Sequence, residues 1–217
     1  MQTAYTLFMQ KSNSDNIIKA VERASKTVFA LKSYAHRDPS GKKVRAKVSE
    51  GIDVVLTLYH NQLKKGIEVI ADYQDIPEIM CYPDELNQVW TNLIHNAVYA
   101  MNGSGKLSIV ISEEKDFVTV AFGDSGCGIA SEIWERIFDP FFTTKPAGEG
   151  SGLGLDIVKK IIERHWGKIT VESRPGETTF KVFLPKESGM ESCETRQFCF
   201  WISDRKKTFH FVNVWYI

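Results

Sequence analysis

Four glycines alternate with other residues between positions 148 and 154, and this spacing strongly restricts what that stretch can form. Alternating glycine destabilises a helix and leaves a strand with few side chains to pack. The stretch is therefore predicted to be a loop, and a helical pattern begins after it at Leu155. Backbone N–H groups at the start of a helix favour an anion such as phosphate, and Lys145 adds a positive charge nearby. The spacing fits neither the P-loop nor the dinucleotide fingerprint.

A second polar pattern lies on a helix predicted to begin at Pro83 and to end near Met101. Glu85, Asn92 and Asn96 are separated by seven and four residues, so at about 100° per residue they share one side of the helix. Asparagine is a mediocre helix former, and two of them within a helix indicate a function such as holding an ion or a phosphate oxygen. A solvated polar face is the alternative.

A third motif, Asp124-Ser-Gly-Cys-Gly-Ile129, directly follows a predicted strand. Gly126 and Gly128 allow the backbone to approach a ligand closely. A carboxylate at the end of the strand can accept a hydrogen bond from an exocyclic amine, such as that of adenine. A tight turn without a ligand is the alternative.

The periodicity around these motifs predicts an α+β sandwich, in which helices cover a mixed, mostly antiparallel sheet. Strands are predicted at 44–48, 67–73, 79–82, 106–112, 117–123, 168–173 and 178–184, and further helices at 50–65, 132–136 and 155–165. These elements define a domain over residues 43–187.

Residues 1–42 are predicted to contain one helix, beginning at the capping pair Ser12 and Asp15 and ending near His36. Its apolar residues follow a heptad spacing, which is typical of a coiled coil or helical bundle. They are Ile17, Val21, Ala24, Val28, Leu31 and Ala35. Such a stripe requires a second helix, from this chain or another copy, or packing against the domain that follows.

The last segment, residues 188–217, is rich in aromatic residues and shows no clear period. An additional pair of strands, a dimer contact and a non-native extension are equally compatible with it.

Charge and cysteine content give no support for binding to nucleic acid, to an anionic membrane or to zinc. Lys and Arg total 27 and so do Asp and Glu, so the sequence gives no electrostatic reason for contact with nucleic acid or an anionic membrane. The four cysteines form no CxxC pair and no zinc motif, which favours free thiols in the cytoplasm. No signal peptide or membrane-spanning segment is expected.

Together, in this order and spacing, the motifs closely resemble the catalytic, ATP-binding domain of sensor histidine kinases, which belongs to a superfamily shared with gyrase-type topoisomerases. Glu85–Ala97 resembles the family's N box, Asp124–Ile129 its G1 box, Phe138–Lys145 its F box and Gly150–Leu155 its G2 box. The resemblance covers about residues 43–186 and implies a Bergerat-type ATP-binding fold.

The resemblance also implies roles for individual residues. Asn96 would hold Mg²⁺ against the ATP phosphates, with Asn92 and Glu85 as catalytic residues beside it, and Asp124 would bind the adenine amino group. Lys145 and the 148–154 loop would form a lid over the triphosphate. The other nucleotide-binding positions implied are Gly126, Gly128, Ile129, Thr144, Gly150, Ser151, Gly152, Leu153 and Gly154.

One position favours phosphoryl transfer over hydrolysis. Hydrolysing members of the superfamily carry a glutamate one turn before the Mg²⁺-binding asparagine, but this chain has Asn92, and an amide cannot act as a general base. The resemblance therefore implies transfer of the γ-phosphate to a histidine. It also implies a homodimer formed through the N-terminal helix, which resembles the second helix of a dimerisation hairpin, and a response regulator as partner.

The expected phosphoacceptor motif is missing from this sequence. Its histidines are His36, His60, His95, His165 and His210, and none has the acceptor context of the family. A nucleotide-binding regulator without transfer activity and a serine/threonine kinase of the anti-sigma type are therefore alternatives. We expect the chain alone not to autophosphorylate.

Overall fold

The computed structural model describes residues 42–146 and 149–186 and the backbone of residues 209–210. The predicted N-terminal helix and most of the aromatic segment lie outside the described residues. The strands are β1 Val44–Ala46, β2 Ile67–Tyr73, β3 Ile79–Cys81, β4 Gly105–Glu114, β5 Phe117–Asp124, β6 Lys168–Arg174, β7 Glu177–Pro185 and β8 Phe209–His210. The helices are α1 Val48–Leu63, α2 Pro83–Ala100 and α3 Gly154–Arg164, and a 3-10 helix spans Ser131–Arg136.

The main sheet has the strand order β2-β4-β5-β7-β6-β8. The β2 and β4 strands are parallel, whereas every other neighbouring pair is antiparallel. This arrangement confirms the predicted mixed, mostly antiparallel sheet. The β3 strand does not join it, because β3 pairs with β1 in a separate two-stranded sheet.

The core lies between the sheet and the three helices. Alternate residues of β4, namely Leu107, Ile109 and Ile111, are fully buried, while Lys106 and Val110 are exposed. This alternation is typical of a sheet with one covered face. The largest fully buried side chain is Trp90 of α2, whose ring stacks on Phe122 of β5 with centroids 5.6 Å apart. The α+β sandwich is confirmed.

The helices α2 and α3 run antiparallel to each other. Near the start of α2, the backbone N–H of Tyr82 donates to His165 Nε2 at the end of α3, over 3.0 Å. Further along α2, Asn92 lies against Gly154 at the start of α3. The C-terminal half of α2 is thereby placed beside the N-terminus of α3 and the 143–154 segment. No helix within the described residues has the length and apolar character needed to span a membrane.

Candidate functional site

Asn92 lies where α2 meets the beginning of α3. Its Nδ2 donates to the carbonyl of Gln88 over 3.0 Å. Its Oδ1 faces Gly154, where an added Cβ would lie 3.2 Å from that oxygen. Asn92 therefore contacts the segment that carries the G2-type glycines.

Asn96, one turn further along α2, contacts the lysine of the predicted lid. Lys145 Nζ donates to Asn96 Oδ1 over 3.3 Å, and the same ammonium lies 4.0 Å from the ring centroid of Tyr99. The Tyr99 hydroxyl donates in turn to Glu149 Oε2 over 3.4 Å. Two residues of the predicted lid, Lys145 and Glu149, thus contact the last part of α2.

The Asn96 side chain suits a magnesium ion. An amide oxygen is a hard donor, and Mg²⁺ commonly uses one or two protein ligands together with phosphate oxygens and water. In the structure this oxygen already faces a cation, the Lys145 ammonium. The described residues contain no cluster of three or more His, Cys, Asp or Glu that could bind a metal without such help. Asn96 Oδ1 is a candidate ligand for such an ion.

Asp124 ends β5 and is 6% exposed. Burial raises the pKa of its carboxyl group, and the hydrogen bond from the Gly126 N–H, 2.9 Å long, opposes that shift. The backbone N–H of Cys127 donates to the carbonyl of Ala100 over 3.2 Å, so this loop is attached to the end of α2. Asp124 and Asn96 are consequently placed at the same end of that helix.

The β6–β7 hairpin supports the far side of this loop. Ile129 donates its backbone N–H to Ser173 Oγ over 2.8 Å. Gly128 has a φ of +81°, and a Cβ there would lie 2.5 Å from the carbonyl oxygen of Arg174. A larger residue would therefore be both strained and obstructed at position 128.

The F-box and G2-box segments of the predicted lid pack against each other. A Cβ at Gly152, where φ is +68°, would lie 2.3 Å from the carbonyl carbon of Phe141. Gly150 lies against the side chains of Thr143 and Lys145. The buried residue Leu153 leads into α3, and its N–H donates to Ser151 Oγ over 3.4 Å. Thr144 is exposed.

The structure does not bring Glu85 to this site. Glu85 lies 11 residues before Asn96, which corresponds to about 16 Å along a helix. Its Oε1 instead accepts a hydrogen bond from Arg164 at the end of α3, and its Oε2 is buried without a partner. Burial raises the pKa of this carboxyl group, and the nearby Arg164 opposes the shift. The predicted placement took into account the angle of Glu85 around the helix but not its distance from Asn96 along the helix axis.

Two residues of the site escaped the sequence prediction. Tyr99 lies three residues after Asn96, so helical spacing could have indicated it. Ser173 comes from a strand 44 residues away from its partner Ile129, and no local pattern could have revealed that contact.

Comparison with known proteins places this geometry in a family. Residues 81–188 match the family described as histidine kinase-, DNA gyrase B- and HSP90-like ATPase. The catalytic domain of histidine kinase ThkA is 34% identical, with a TM-score of 0.62 over 67% of this chain and 97% of that domain. ThkA in complex with the response regulator TrrA also matches, with a TM-score of 0.62 at 29% identity, over 76% of this chain and 49% of that one.

Curated relatives match this chain over a small share of their own length. The sensor histidine kinase ZraS of Escherichia coli K12 is 45% identical over 111 residues, which are 51% of this chain and 23% of ZraS. Sporulation kinase E of Bacillus subtilis 168 is 40% identical over 119 residues, or 54% of this chain and 16% of that kinase. The chain thus spans less than a quarter of the length of these relatives.

Proposed function

Because the chain belongs to the histidine kinase-, DNA gyrase B- and HSP90-like ATPase family, we propose that residues 43–187 bind Mg·ATP and form the catalytic domain of a two-component sensor histidine kinase. The observation that carries the proposal is the meeting of separate segments at one end of α2. Asn96 of α2, Lys145 of the lid and the Asp124 loop all converge there.

Each group has a chemical role in this proposal. The Asp124 carboxylate accepts a hydrogen bond from the adenine amino group, and Asn96 Oδ1 holds the metal. Lys145 and the lid backbone bind the phosphates, and the 143–154 segment excludes water from them. The bound Mg²⁺ supplies neutralisation of phosphate charge. Phosphoryl transfer depends mainly on such positioning and charge stabilisation.

Asn92 supports transfer rather than hydrolysis. It lies one turn before Asn96, and its Nδ2 is engaged by the Gln88 carbonyl. An amide does not accept a proton from water at neutral pH, so this position offers no general base. We propose that Asn92 orients the start of α3 and the phosphates beside it.

The proposal places the acceptor histidine on a separate helical hairpin. His165 is 3% exposed and both of its ring nitrogens are engaged, so it is not available as an acceptor. We further propose that the N-terminal segment contributes to a homodimer and that a response regulator receives the phosphoryl group. The cytoplasm, where ATP is available, is the compartment this function requires.

Labelled ATP tests the transfer step directly. The chain is incubated with Mg²⁺ and labelled ATP, alone and with a two-helix dimerisation hairpin of a sensor histidine kinase that carries its acceptor histidine. We expect no label on the chain alone and an acid-labile label on the hairpin. A hairpin with histidine replaced by glutamine and an Asn96→Ala chain are the negative controls.

Other outcomes separate the alternatives. An acid-stable label on serine or threonine would indicate an anti-sigma-type kinase. ATP binding without labelling across a panel of hairpins would indicate a nucleotide-binding regulator. An acid-labile label on His36 or His60 of the chain itself would show that the chain carries its own acceptor.

A further inference from the structure

Tyr99 contacts the same lysine of the predicted lid that contacts Asn96. Its ring centroid lies 4.0 Å from Lys145 Nζ, a distance at which an aromatic face attracts an ammonium group. Its hydroxyl donates to Glu149, which follows the lysine in the lid. Tyr99 is 43% exposed, so its side chain is not part of the buried core.

The lysine and a metal ion require the same oxygen. Lys145 Nζ is 3.3 Å from Asn96 Oδ1, the atom assigned to Mg²⁺ above. A magnesium ion and an ammonium group at one amide oxygen repel each other, so each weakens the binding of the other there. Binding of Mg·ATP would therefore favour movement of the ammonium away from Asn96 and towards the phosphates.

We propose that Tyr99 is a positioning residue that sets the strength of this competition, by holding Lys145 on Asn96 and thereby raising the Mg²⁺ requirement for nucleotide binding. The inference rests on the proposed function. In this proposal the ring of Tyr99 makes Mg²⁺ binding at Asn96 less favourable. The hydroxyl of Tyr99 makes a smaller contribution, by attaching the lid through Glu149.

Calorimetry of ATP binding with and without Mg²⁺ tests the role of the ring. The measured quantity is the dissociation constant without Mg²⁺ divided by the dissociation constant with Mg²⁺. A larger ratio means that Mg²⁺ assists binding more strongly. In Tyr99→Leu, which keeps an apolar side chain but removes the ring, we expect this ratio to increase about two- to five-fold. Tyr99→Phe keeps the ring, and its ratio should stay within two-fold of that of the unmodified chain.

Lys145→Met provides the matched background. There the lysine no longer competes for Asn96, so adding Tyr99→Leu should leave the ratio unchanged. An equal increase in both backgrounds, or none in either, would overturn the inference while leaving Mg·ATP binding intact. If Mg²⁺ fails to assist ATP binding even in the unmodified chain, the metal assignment in the proposed function fails instead.

Discussion

The two groups assigned to opposite ends of ATP are held in different surroundings. Asn96 is half-buried on one face of α2, and its side-chain oxygen contacts Lys145, whose long side chain has many rotamers. Asp124 is buried and fixed by the Gly126 N–H. The difference predicts that one residue controls metal-dependent affinity and the other controls the choice of base.

Substitution of each residue should therefore have a distinct effect. Asn96→Ala should weaken Mg·ATP binding by about ten- to a hundred-fold, because a charge-assisted contact is lost. Asp124→Asn should reduce the preference for ATP over GTP by about ten-fold, since the acceptor of the adenine amino group is changed. Calorimetry with both nucleotides measures these effects.

Exposed residues of the same type serve as controls for these two substitutions. Asn61→Ala and Asp116→Asn alter positions that are exposed and lie in α1 and in the β4–β5 turn. Both should bind nucleotide like the unmodified chain. Unchanged affinity and base preference in the Asn96 and Asp124 variants would show that these residues do not have the assigned roles.

His165 is a buried histidine that is fixed in one tautomer. Its Nε2 accepts the Tyr82 N–H, so its Nδ1 carries the proton and donates to the Ile161 carbonyl over 2.8 Å. Burial, together with the smaller effects of the Lys43 and Arg164 charges, lowers its pKa from 6.5 to about 4, against the opposing effect of the Ile161 hydrogen bond. The folded protein therefore favours the neutral ring.

This residue should make stability depend on pH. The unfolded chain binds the proton near pH 6.5 while the folded chain resists it, so the stabilisation is complete above pH 6.5 and is lost as the pH falls to about 4. The loss amounts to about 3 kcal/mol over that window. Urea unfolding at several pH values should show it, and His165→Gln should remove it.

The exposed residue His60 provides the comparison. His60→Gln should keep the full pH dependence, because its imidazole is exposed on α1. Acidic groups with raised pKa values, such as Glu85 and Asp124, act in the opposite direction, and they are common to all three proteins. Parallel pH profiles for His165→Gln and the unmodified chain would contradict the assignment.

Among the elements, α3 ends in an unusual way. The Gly167 N–H donates to the Ile162 carbonyl over 2.9 Å, and the Trp166 N–H donates to the Glu163 carbonyl over 3.0 Å. This pair of bonds is a Schellman motif, which normally has glycine at the left-handed position. Here that position is Trp166, with a φ of 59° and a side chain that is 68% exposed.

Glycine at this position should stabilise the protein. Trp166→Gly removes the steric cost of a Cβ in the left-handed conformation, whereas Trp166→Ala retains it. Because the indole is mostly exposed, both variants lose similar, small amounts of packing. We expect the glycine variant to exceed the alanine variant by about 1 kcal/mol in free energy of unfolding, measured in urea. Equal stabilities would show that the turn tolerates the Cβ without strain.

The helix α2 connects the two ends of the domain. Its first turn pairs with the end of α3 through Glu85 and Arg164. Its last two turns carry Asn96 and Tyr99 and receive the Asp124 loop at Ala100. Between them, the buried face of the helix packs on β5 through Trp90 and Phe122. The proposed site therefore lies between the C-terminal half of α2 and the glycine-rich segment of the predicted lid.

At the scale of the whole molecule, local sequence signals predicted most elements correctly. The 105–114 and 117–124 hairpin and the start of α2 at Pro83 were recognisable because alternation, turn residues and a helix-initiating proline act between near neighbours. The four family motifs were likewise contiguous, so roles for Asn96, Asp124 and the lid could be predicted before any contact was known.

Only the tertiary structure decided which of these residues meet. Lys145 contacts Asn96 across 49 positions, and Arg164 pairs with Glu85 across 79. The pairing of β3 with β1 rather than with the main sheet was likewise not evident locally. Helical periodicity fixes the angle of a side chain around its axis but not its partner, because partners depend on where the core packing of sheet and helices places distant segments.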